Sequence, residues 1–301
     1  MKNGFLILTH FPPEKILGQV TRLSAENHYF FIHFDKKLII DPEDPFYLKL
    51  LSANNVTILK TRVNVQWGSF NIVAATLLLI REALKNKELG YLHFISGECL
   101  PVKSKQYIND YFTRNNGKEF IHHFPMPEKS TEHGVTYERI NKYHLHDYYS
   151  PKSKKIKDVV IRIMNSIFRK TQKILKPAGL YRKYPSTFPV LYAGSQWWSM
   201  SYQACSYIID YCDQHPEFIS RMQHTQIPDE FFIQTIILNS PFKDNVVNNN
   251  LRFFDFTNEI SSPRPIEMGD IPELSKPDVL FARKFTAKSK EVINYLEKNV
   301  Y

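Results

Sequence analysis

Short apolar runs and helix-compatible polar segments alternate through the first part of the chain. Runs that are typical of buried strands span residues 5–8, 29–34 and 56–59, and polar stretches over residues 14–27 and 42–51 separate them. Strands that alternate with helical segments form parallel sheets, because each crossover helix packs back on the face of the sheet. The pattern therefore predicts an α/β fold with a mostly parallel central sheet flanked by helices.

The next two elements repeat this pattern and indicate where a ligand would bind. A helix is predicted over residues 69–87 and a buried strand over residues 91–95. Ligands of open α/β sheets bind beyond the carboxyl ends of the strands, and here those ends are residues 33–35 and 96–98. We expect a nucleotide pocket there. The chain has neither a Gly-x-Gly-x-x-Gly sequence after its first strand nor a Walker A sequence, which disfavours dinucleotide and P-loop chemistry.

The composition is that of an ordinary globular protein. The chain has 301 residues, of which 43% are hydrophobic and 14% aromatic, enough for a well-buried core. Cys99, Cys205 and Cys212 lack metal-ligand spacing and fit a reducing compartment. The apolar run at residues 5–8 is too short for a signal sequence, and no segment has the length of a membrane span. A cytoplasmic protein is the expectation.

Most of the net charge of +9 comes from one stretch. Residues 152–183 contain eleven Lys or Arg and one acidic residue, Asp158, and apolar residues recur between them at helical spacing. A basic amphipathic helix is therefore predicted over about residues 155–176. Two roles are open for it: the apolar stripe packs on the core, or the helix lies on an anionic membrane surface. The second role would hold the protein peripherally on the inner face of a membrane.

Three charged residues near the C-terminus each lie among apolar or aromatic neighbours. They are Glu230, Arg252 and Lys284. A carboxylate in such a setting can deprotonate a hydroxyl, and two cations can neutralise a departing diphosphate without a metal. For Glu230, which follows Pro228 and Asp229, the alternative is a helix start, because capping and the helix dipole favour acidic residues there.

The second half of the chain contains a histidine-rich stretch and an aromatic strand. Five histidines lie between residues 122 and 146, and His144 and His146 have the spacing of a weak chelating pair. Because no His-x-x-x-His pair or cysteine partner accompanies them, we prefer a structural or surface role over metal binding. A turn at Gly194 leads into an aromatic strand with Trp197, whose ring could stack on a sugar or fill a buried sheet.

Seven segments, taken as an ordered set, carry a family resemblance. They are residues 33–37 (HFDKK), 67–69 (WGS), 96–104 (SGECLPVKS), 194–198 (GSQWW) and 228–230 (PDE), Arg252, and residues 281–285 (FARKF). On these segments the chain resembles the core-2/I-branching β-1,6-N-acetylglucosaminyltransferases, a family that includes the peptide O-xylosyltransferases and many bacterial relatives. The resemblance extends over nearly the whole chain.

The resemblance implies a GT-A type nucleotide-sugar fold that works without a divalent metal. The chain contains no Asp-x-Asp triplet, which agrees with this implication. By the same resemblance Glu230 would be the catalytic base, Arg252 and Lys284 would grip the diphosphate, and Asp35 would bind the nucleoside. Arg139 lies where family members place acceptor contacts.

We predict a single domain over residues 1–301. Its nucleotide-binding half is expected at about residues 1–120, and an acceptor-binding and catalytic half at about residues 121–301. Trp197 and Arg139 are the predicted acceptor contacts. Animal members of the family carry an N-terminal anchor and disulfides, and we expect neither here, so a bacterial enzyme is the expectation.

The predicted activity is inverting, metal-independent transfer of a sugar, preferably N-acetylglucosamine, from a UDP-sugar to a glycan or lipid-linked glycan. The setting would be bacterial surface polysaccharide synthesis, and no cofactor is expected. Two alternatives stay open: a xylosyl or other UDP-sugar transferase of the same fold, and a non-catalytic protein that binds anionic surfaces. Nucleic acid is not an expected partner, because no helix-turn-helix, RNA-recognition or zinc pattern accompanies the charge.

Overall fold

The computed structural model describes residues 1–126, 136–149, 153–172, 174, 182–257 and 262–301. The strands are β1 (Lys2–Thr9), β2 (His28–Phe34), β3 (Val56–Ile58), β4 (Leu89–Ser96), β5 (Leu100–Pro101), β6 (Glu119–Pro125), β7 (Tyr192–Ser201), β8 (Val246–Val247), β9 (Arg252–Phe253) and β10 (Phe281–Ala282). The helices are α1 (Pro13–Leu23), α2 (Pro45–Leu51), α3 (Asn71–Ala83), α4 (Lys105–Arg114), α5 (Glu138–Asn141), α6 (Ile156–Thr171), α7 (Tyr202–Gln214), α8 (Pro216–Met222), α9 (Phe232–Leu238), α10 (Ile271–Leu274) and α11 (Lys290–Asn299).

A seven-stranded sheet in the order β3-β2-β1-β4-β7-β6-β8 forms the centre of the molecule. β1 lies between β2 and β4 and pairs with both in parallel. β7 runs antiparallel to its two neighbours, β4 and β6, while β8 is again parallel to β6. Six of the seven strands therefore point in one direction, which confirms the predicted α/β fold with a mostly parallel central sheet flanked by helices.

The two faces of this sheet bury separate apolar clusters. Leu6 of β1 packs in one cluster with residues of α3, α7 and α9. Its neighbours Phe5 and Ile7 pack in the other cluster with residues of α1 and α4. Successive side chains of a strand point to opposite faces, so the continuous apolar run of β1 is what a strand covered on both sides requires.

Local sequence sets the starts of the helices that follow the strands. α1 begins with Pro13, where a missing N–H costs nothing, and Glu14 and Arg22 lie at the ends of the helix that suit their charges. α4 and α7 begin after Ser104 and Ser201, whose hydroxyls accept backbone N–H groups of the first turn. These caps make each helix start directly after the strand or loop before it.

A second, three-stranded sheet in the order β5-β10-β9 was not predicted. β10 pairs antiparallel with β5 and parallel with β9. Each of these strands has two residues, too few for a periodic signal in the sequence. The small sheet carries Arg252 on β9, and its strand β10 ends just before Arg283 and Lys284.

The basic helix is present as α6, inside the predicted range, and it does not pack as one alternative proposed. Asn165 is the buried residue among its sixteen, all of which the structure describes, while apolar Ile163 and Ile167 are exposed. The packing of the apolar stripe on the core is therefore wrong. Lys152, Lys173, Leu175 and Lys176 of the predicted stretch lie outside the described residues. No helix in the described ranges is both long and apolar enough to cross a bilayer.

Candidate active site

Glu230 lies in a short 3-10 turn, Pro228–Glu230, where Arg139 of α5 holds its carboxylate. Nη1 of Arg139 donates to Oε2 of Glu230 at 2.6 Å. The arginine side chain is 8% exposed and that of the glutamate 36% exposed. A charge-assisted bond of this kind orients the carboxylate and leaves part of it open to solvent. The structure thus brings together the predicted base and a predicted acceptor contact.

The turn that presents Glu230 is built on an unusual backbone conformation. Ile227, the residue before the turn, has φ of 54° in the left-handed region, which a β-branched residue rarely adopts. Its N–H donates to the carbonyl of Gly68 at 2.9 Å. Gly68 itself has φ of +73°, and a Cβ on it would lie 3.3 Å from Cγ1 of Ile227. The Trp67-Gly68 loop and the Glu230 turn are therefore fitted to each other at a strained point, as is common at functional sites.

Asp229, beside the predicted base, is a half-buried acid whose Oδ1 atom is shielded from solvent. Burial, followed by the neighbouring charge of Glu230, raises the pKa of the Asp229 carboxyl to about 7. Its Oδ1 atom has no hydrogen-bond partner among the described residues. A carboxyl in this setting favours its protonated form, so Asp229 keeps part of its proton at neutral pH.

A second group of charged residues lies at the carboxyl ends of β1, β2 and β4. Asp35 follows β2 and is buried, and its carboxylate accepts the Lys37 N–H at 2.8 Å and pairs with Lys37 Nζ at 3.1 Å. The Asp35 N–H donates to the carbonyl of Thr9 at 2.7 Å, which joins the ends of two strands. The predicted nucleoside-binding residue is therefore at the predicted strand end, with its carboxylate engaged in a local turn.

Glu98 and Arg283 face each other in this group. Nη2 of Arg283 lies 3.7 Å from Oε2 of Glu98, and its guanidinium stands over the Trp197 ring, 4.8 Å from the centroid. Trp197 is buried and packs on Phe94, with ring centroids 5.3 Å apart. Cations are attracted to the face of an indole. The structure therefore places Trp197, a predicted acceptor contact, beneath Arg283 as a support.

Lys284 and Lys15 add positive charge beside Arg283. Nζ of Lys284 donates to Oγ of Ser262 at 3.2 Å. Burial lowers the pKa of Lys15, the Glu98 carboxylate opposes this change, and the charge of Lys284 reinforces it. The two ammonium groups are thus near enough to repel each other. A concentration of like charge at a sheet edge favours an anionic ligand.

His10 directly follows β1 and lies in the same electrostatic field. Burial lowers its pKa, the carboxylates of Glu98 and Asp35 oppose this shift, and the charge of Lys15 adds to it. The imidazole is therefore neutral at pH 7. Sequence analysis singled out neither His10 nor Lys15 nor Arg283. For the first two, the available signal was their position just beyond the first parallel strand, where ligands of such sheets bind.

Arg252 does not join this exposed group. It is 7% exposed, and its guanidinium donates to Oγ of Ser199 at 2.7 Å and to the carbonyls of Trp198 at 2.7 Å and Phe94 at 3.2 Å. The carbonyl of Asn250 is a fourth acceptor. Burial lowers the pKa of the Arg252 guanidinium to about 9, which leaves it charged at neutral pH. Arg252 was predicted to bind the diphosphate, but in the structure its guanidinium donates to acceptors of the protein itself.

Two connections join the Glu230 turn to the second charged group. The loop after β3 is bonded to the Asp35 end, where Lys36 N–H donates to the Val63 carbonyl at 3.0 Å, and it continues to Gly68, which receives the Ile227 N–H. On the other side, Gln234 of α9 donates to the carbonyl of Ser195 on β7 at 2.7 Å, two residues before Trp197. Both groups of the candidate site therefore rest on shared elements.

Other features of the molecule lie apart from this site. Among the described residues, no group of three or more His, Cys, Asp or Glu side chains is arranged to hold a metal ion. His144 and His146 are buried and stacked, and burial lowers their pKa values to about 3 and about 4. A cavity of 490 Å³ lies at the start of α8, lined by Phe188, Tyr211, His215 and others, and none of the predicted site residues lines it.

With this geometry in view, comparison with known proteins identifies the family. Residues 4–279 match the model of the "Core-2/I-Branching enzyme" family. The chain belongs to this family. The predicted glycosyltransferase family is therefore confirmed, and with it the prediction of an enzyme.

Individual relatives are more distant. A xylosyltransferase from Ciona intestinalis is 22% identical over 91% of this chain and 31% of its own length. Xylosyltransferase 2 from Rattus norvegicus is 22% identical over 100% of this chain and 34% of its own length. The chain thus spans about a third of the length of the curated relatives it matches. The solved structure of a mannose-1-phosphate geranyltransferase from Thermus thermophilus aligns with 81% of this chain and with 67% of its own chain, at 10% identity. The TM-score of 0.30 is too low to support an argument.

We expect Asp229→Asn to stabilise the protein at alkaline pH relative to acid pH. The folded state keeps a proton up to about pH 7 that the unfolded chain releases near about pH 4. The stability of the native protein therefore falls as pH rises through this window, by up to about 4 kcal/mol for this group. The Asn variant has no carboxyl to titrate at this position, so it does not lose this stability as the pH rises. Urea unfolding at about pH 4.5 and about pH 8 measures it.

The matched control for this change is Asp210→Asn on the exposed side of α7, which should shift stability equally at both pH values. If Asp229→Asn also shifts the free energy of unfolding equally at both pH values, the pKa of the Asp229 carboxyl is not raised in the folded protein and this prediction is wrong.

Proposed function

We propose that the protein transfers a sugar from a UDP-sugar to a hydroxyl of a glycan, with inversion at the anomeric carbon and without a divalent metal. The observation that carries this proposal is the pairing of the part-exposed Glu230 with the buried Arg139 at 2.6 Å. A carboxylate held in this way is pre-oriented to receive a proton, as a general base requires. Family membership supplies the reaction class.

In the proposed reaction, Glu230 accepts the proton of the acceptor hydroxyl while that oxygen attacks the anomeric carbon. The attack comes from the side opposite the diphosphate, so the configuration inverts. Arg139 fixes the direction of the carboxylate during this transfer, and reacting groups held in alignment lower the barrier. With a pKa of about 7, Asp229 is partly protonated at neutral pH, and its Oδ1 atom is shielded from solvent, so we assign the base to Glu230.

The departing diphosphate develops charge that the second group can stabilise. Arg283 and Lys284 are adjacent, and Lys15 lies in the same field. Fixed donors of this kind contribute about 3–4 kcal/mol each in a transition state. We assign the direct contacts to Lys284 and Arg283, because four acceptors within the fold already hold the guanidinium of Arg252.

Two donors are in question. UDP-N-acetylglucosamine is the donor that the resemblance to β-1,6-N-acetylglucosaminyltransferases implies, whereas the curated relatives are xylosyltransferases. UDP-xylose is therefore the second donor to test. The predicted setting in bacterial surface polysaccharide synthesis stays a prediction.

Glu230→Gln should abolish transfer and keep donor binding. The amide fills the same space but cannot take the proton, so turnover should fall by about a hundredfold to ten-thousandfold. Turnover with UDP-N-acetylglucosamine and UDP-xylose, together with calorimetric UDP affinity, separates the two effects. Glu291→Gln, on the exposed side of α11, is the matched control. A Gln variant with full turnover would remove Glu230 from the mechanism.

Lys284→Met and Arg283→Met should weaken UDP binding and lower turnover, by about a hundredfold each for turnover, with smaller changes in melting temperature than Arg252→Met. Arg252→Met should instead lower the melting temperature, because its buried acceptors lose their donors. Lys288→Met is an exposed control on the same segment. Calorimetry and thermal unfolding distinguish the two classes of variant. If Arg252→Met weakens UDP binding at unchanged stability, the assignment made here is reversed.

Transfer should persist in excess chelator, since Lys284 and Arg283 are proposed to do the work of a metal. Turnover is measured with and without chelator, and with manganese added back. A large loss that manganese restores would contradict the metal-independent mechanism.

A further inference from the structure

We propose that α6 is a membrane-docking helix that lies on an anionic phospholipid bilayer, with its apolar stripe in the lipid interface. The stripe comprises Ile156, Val160, Ile163, Met164 and Ile167. The structure attaches this helix to the protein by polar side chains and turns the stripe outward, which reverses the usual arrangement of a surface helix.

The protein-facing side of α6 is held by two amides. Oδ1 of Asn165 accepts the Leu145 N–H at 3.0 Å, and its Nδ2 donates to the Tyr149 hydroxyl at 3.2 Å. Directly after the helix end, Gln172 accepts the Tyr143 N–H at 2.6 Å and donates to the Tyr143 carbonyl at 2.8 Å. Both amides are buried. These bonds fix which face of the helix points away from the protein.

The opposite face is the apolar stripe. Its residues follow one another at helical spacing, so they line one side of the helix. Ile163 is 54% exposed and Ile167 58% exposed, and Ile156, Val160 and Met164 are exposed as well. Isolated apolar residues on a surface need no explanation, but a continuous apolar stripe on one helix face marks an interaction site.

The charges beside the stripe decide between kinds of partner. Lys154, Lys155, Lys157 and Lys170 are all exposed around it. Asp158 is the acidic residue of the described stretch 153–172. An apolar stripe bordered by lysines fits a surface that offers anionic headgroups above an apolar layer, and a bilayer with acidic phospholipids has both.

The helix is also connected to the Glu230 turn. The segment bonded by Asn165 and Gln172 donates its His144 N–H to the carbonyl of His224 at 2.7 Å, and the Gln226 N–H donates to the carbonyl of Arg139 at 3.0 Å. The Arg139 and Glu230 pair is therefore a few hydrogen bonds from the docking face. If the protein is the transferase proposed above, this connection places the Glu230 turn near the bilayer. The acceptor is then a glycan presented at the bilayer, such as a lipid-linked glycan.

The test is sedimentation of the full chain with vesicles. Binding to vesicles of phosphatidylcholine with about one third phosphatidylserine is expected at low salt, with loss at high salt and little binding to phosphatidylcholine alone. Ile163→Gln with Ile167→Gln should lower binding by at least about tenfold, and Gln keeps helix propensity. Leu48→Gln with Leu51→Gln, two exposed leucines of α2, is the matched control and should change nothing.

A second variant tests the charges. Replacing Lys154, Lys155, Lys157 and Lys170 by Gln should lower binding by at least about a hundredfold at low salt. Replacing Lys60, Lys288, Lys290 and Lys298 by Gln removes the same charge from other exposed positions and should have little effect. If the two quadruple variants lose binding equally, the attraction is that of net charge and the proposal is overturned.

Two further results would also overturn it. The first is native protein that does not sediment with anionic vesicles at low salt. The second is a dimer in sedimentation velocity that the isoleucine variant converts to a monomer, since the stripe would then be a contact between two copies. Transfer to a soluble acceptor should be unchanged in both α6 variants, so failure of vesicle binding and failure of the transferase activity are read separately.

Discussion

The arrangement of the two sheets depends on the hydrogen bonds of the buried Arg252 guanidinium. Arg252 belongs to β9 of the small sheet, yet its guanidinium donates to acceptors on β4 and β7 of the central sheet, among them Ser199 Oγ at 2.7 Å. Its guanidinium also stands over the Phe281 ring of β10, 4.9 Å from the centroid. A buried cation without these acceptors would cost several kcal/mol. The buried charge of Arg252 is therefore compensated when the small sheet lies where these acceptors can be reached. In that position Arg283 and Lys284 lie at the strand ends.

The residues around Arg252 are adapted to a buried positive charge. His93 lies beside it with Nδ1 2.9 Å from the same Ser199 hydroxyl. Burial, and then the charge of Arg252, lowers the pKa of His93 well below its usual value, so the imidazole stays neutral. A second cation here would have no compensation in the low-dielectric core. The fold thus isolates one structural cation beneath a surface group of cations that is open to a ligand.

The sequence predicted what periodicity can encode, and it missed what depends on tertiary contacts. β1, β2 and β4 are long, apolar runs, and their parallel pairing followed from the alternation with helices, whereas their order in the sheet did not. β5, β9 and β10 have two residues each and exist because of the partners they meet. Arg252 among phenylalanines indicated a water-poor setting but could not show whether its donors face a ligand or backbone carbonyls.

The α6 helix illustrates the same limit from the other side. Its amphipathic pattern was clear, but a hydrophobic stripe shows only that a helix has an apolar face, not which way that face turns. Asn165 and Gln172 decide the direction, and two amides in a basic stretch carry no signal of burial. Their partners lie on the segment with His144 and His146, whose pKa values burial lowers to about 3 and about 4.

Because the unfolded chain protonates its histidines near about pH 6.5, that segment keeps its full stability at neutral pH and loses it as the pH falls below this value. The proposed docking helix and the Glu230 turn are joined through the segment that carries the buried His144 and His146, so acid pH weakens the support of both.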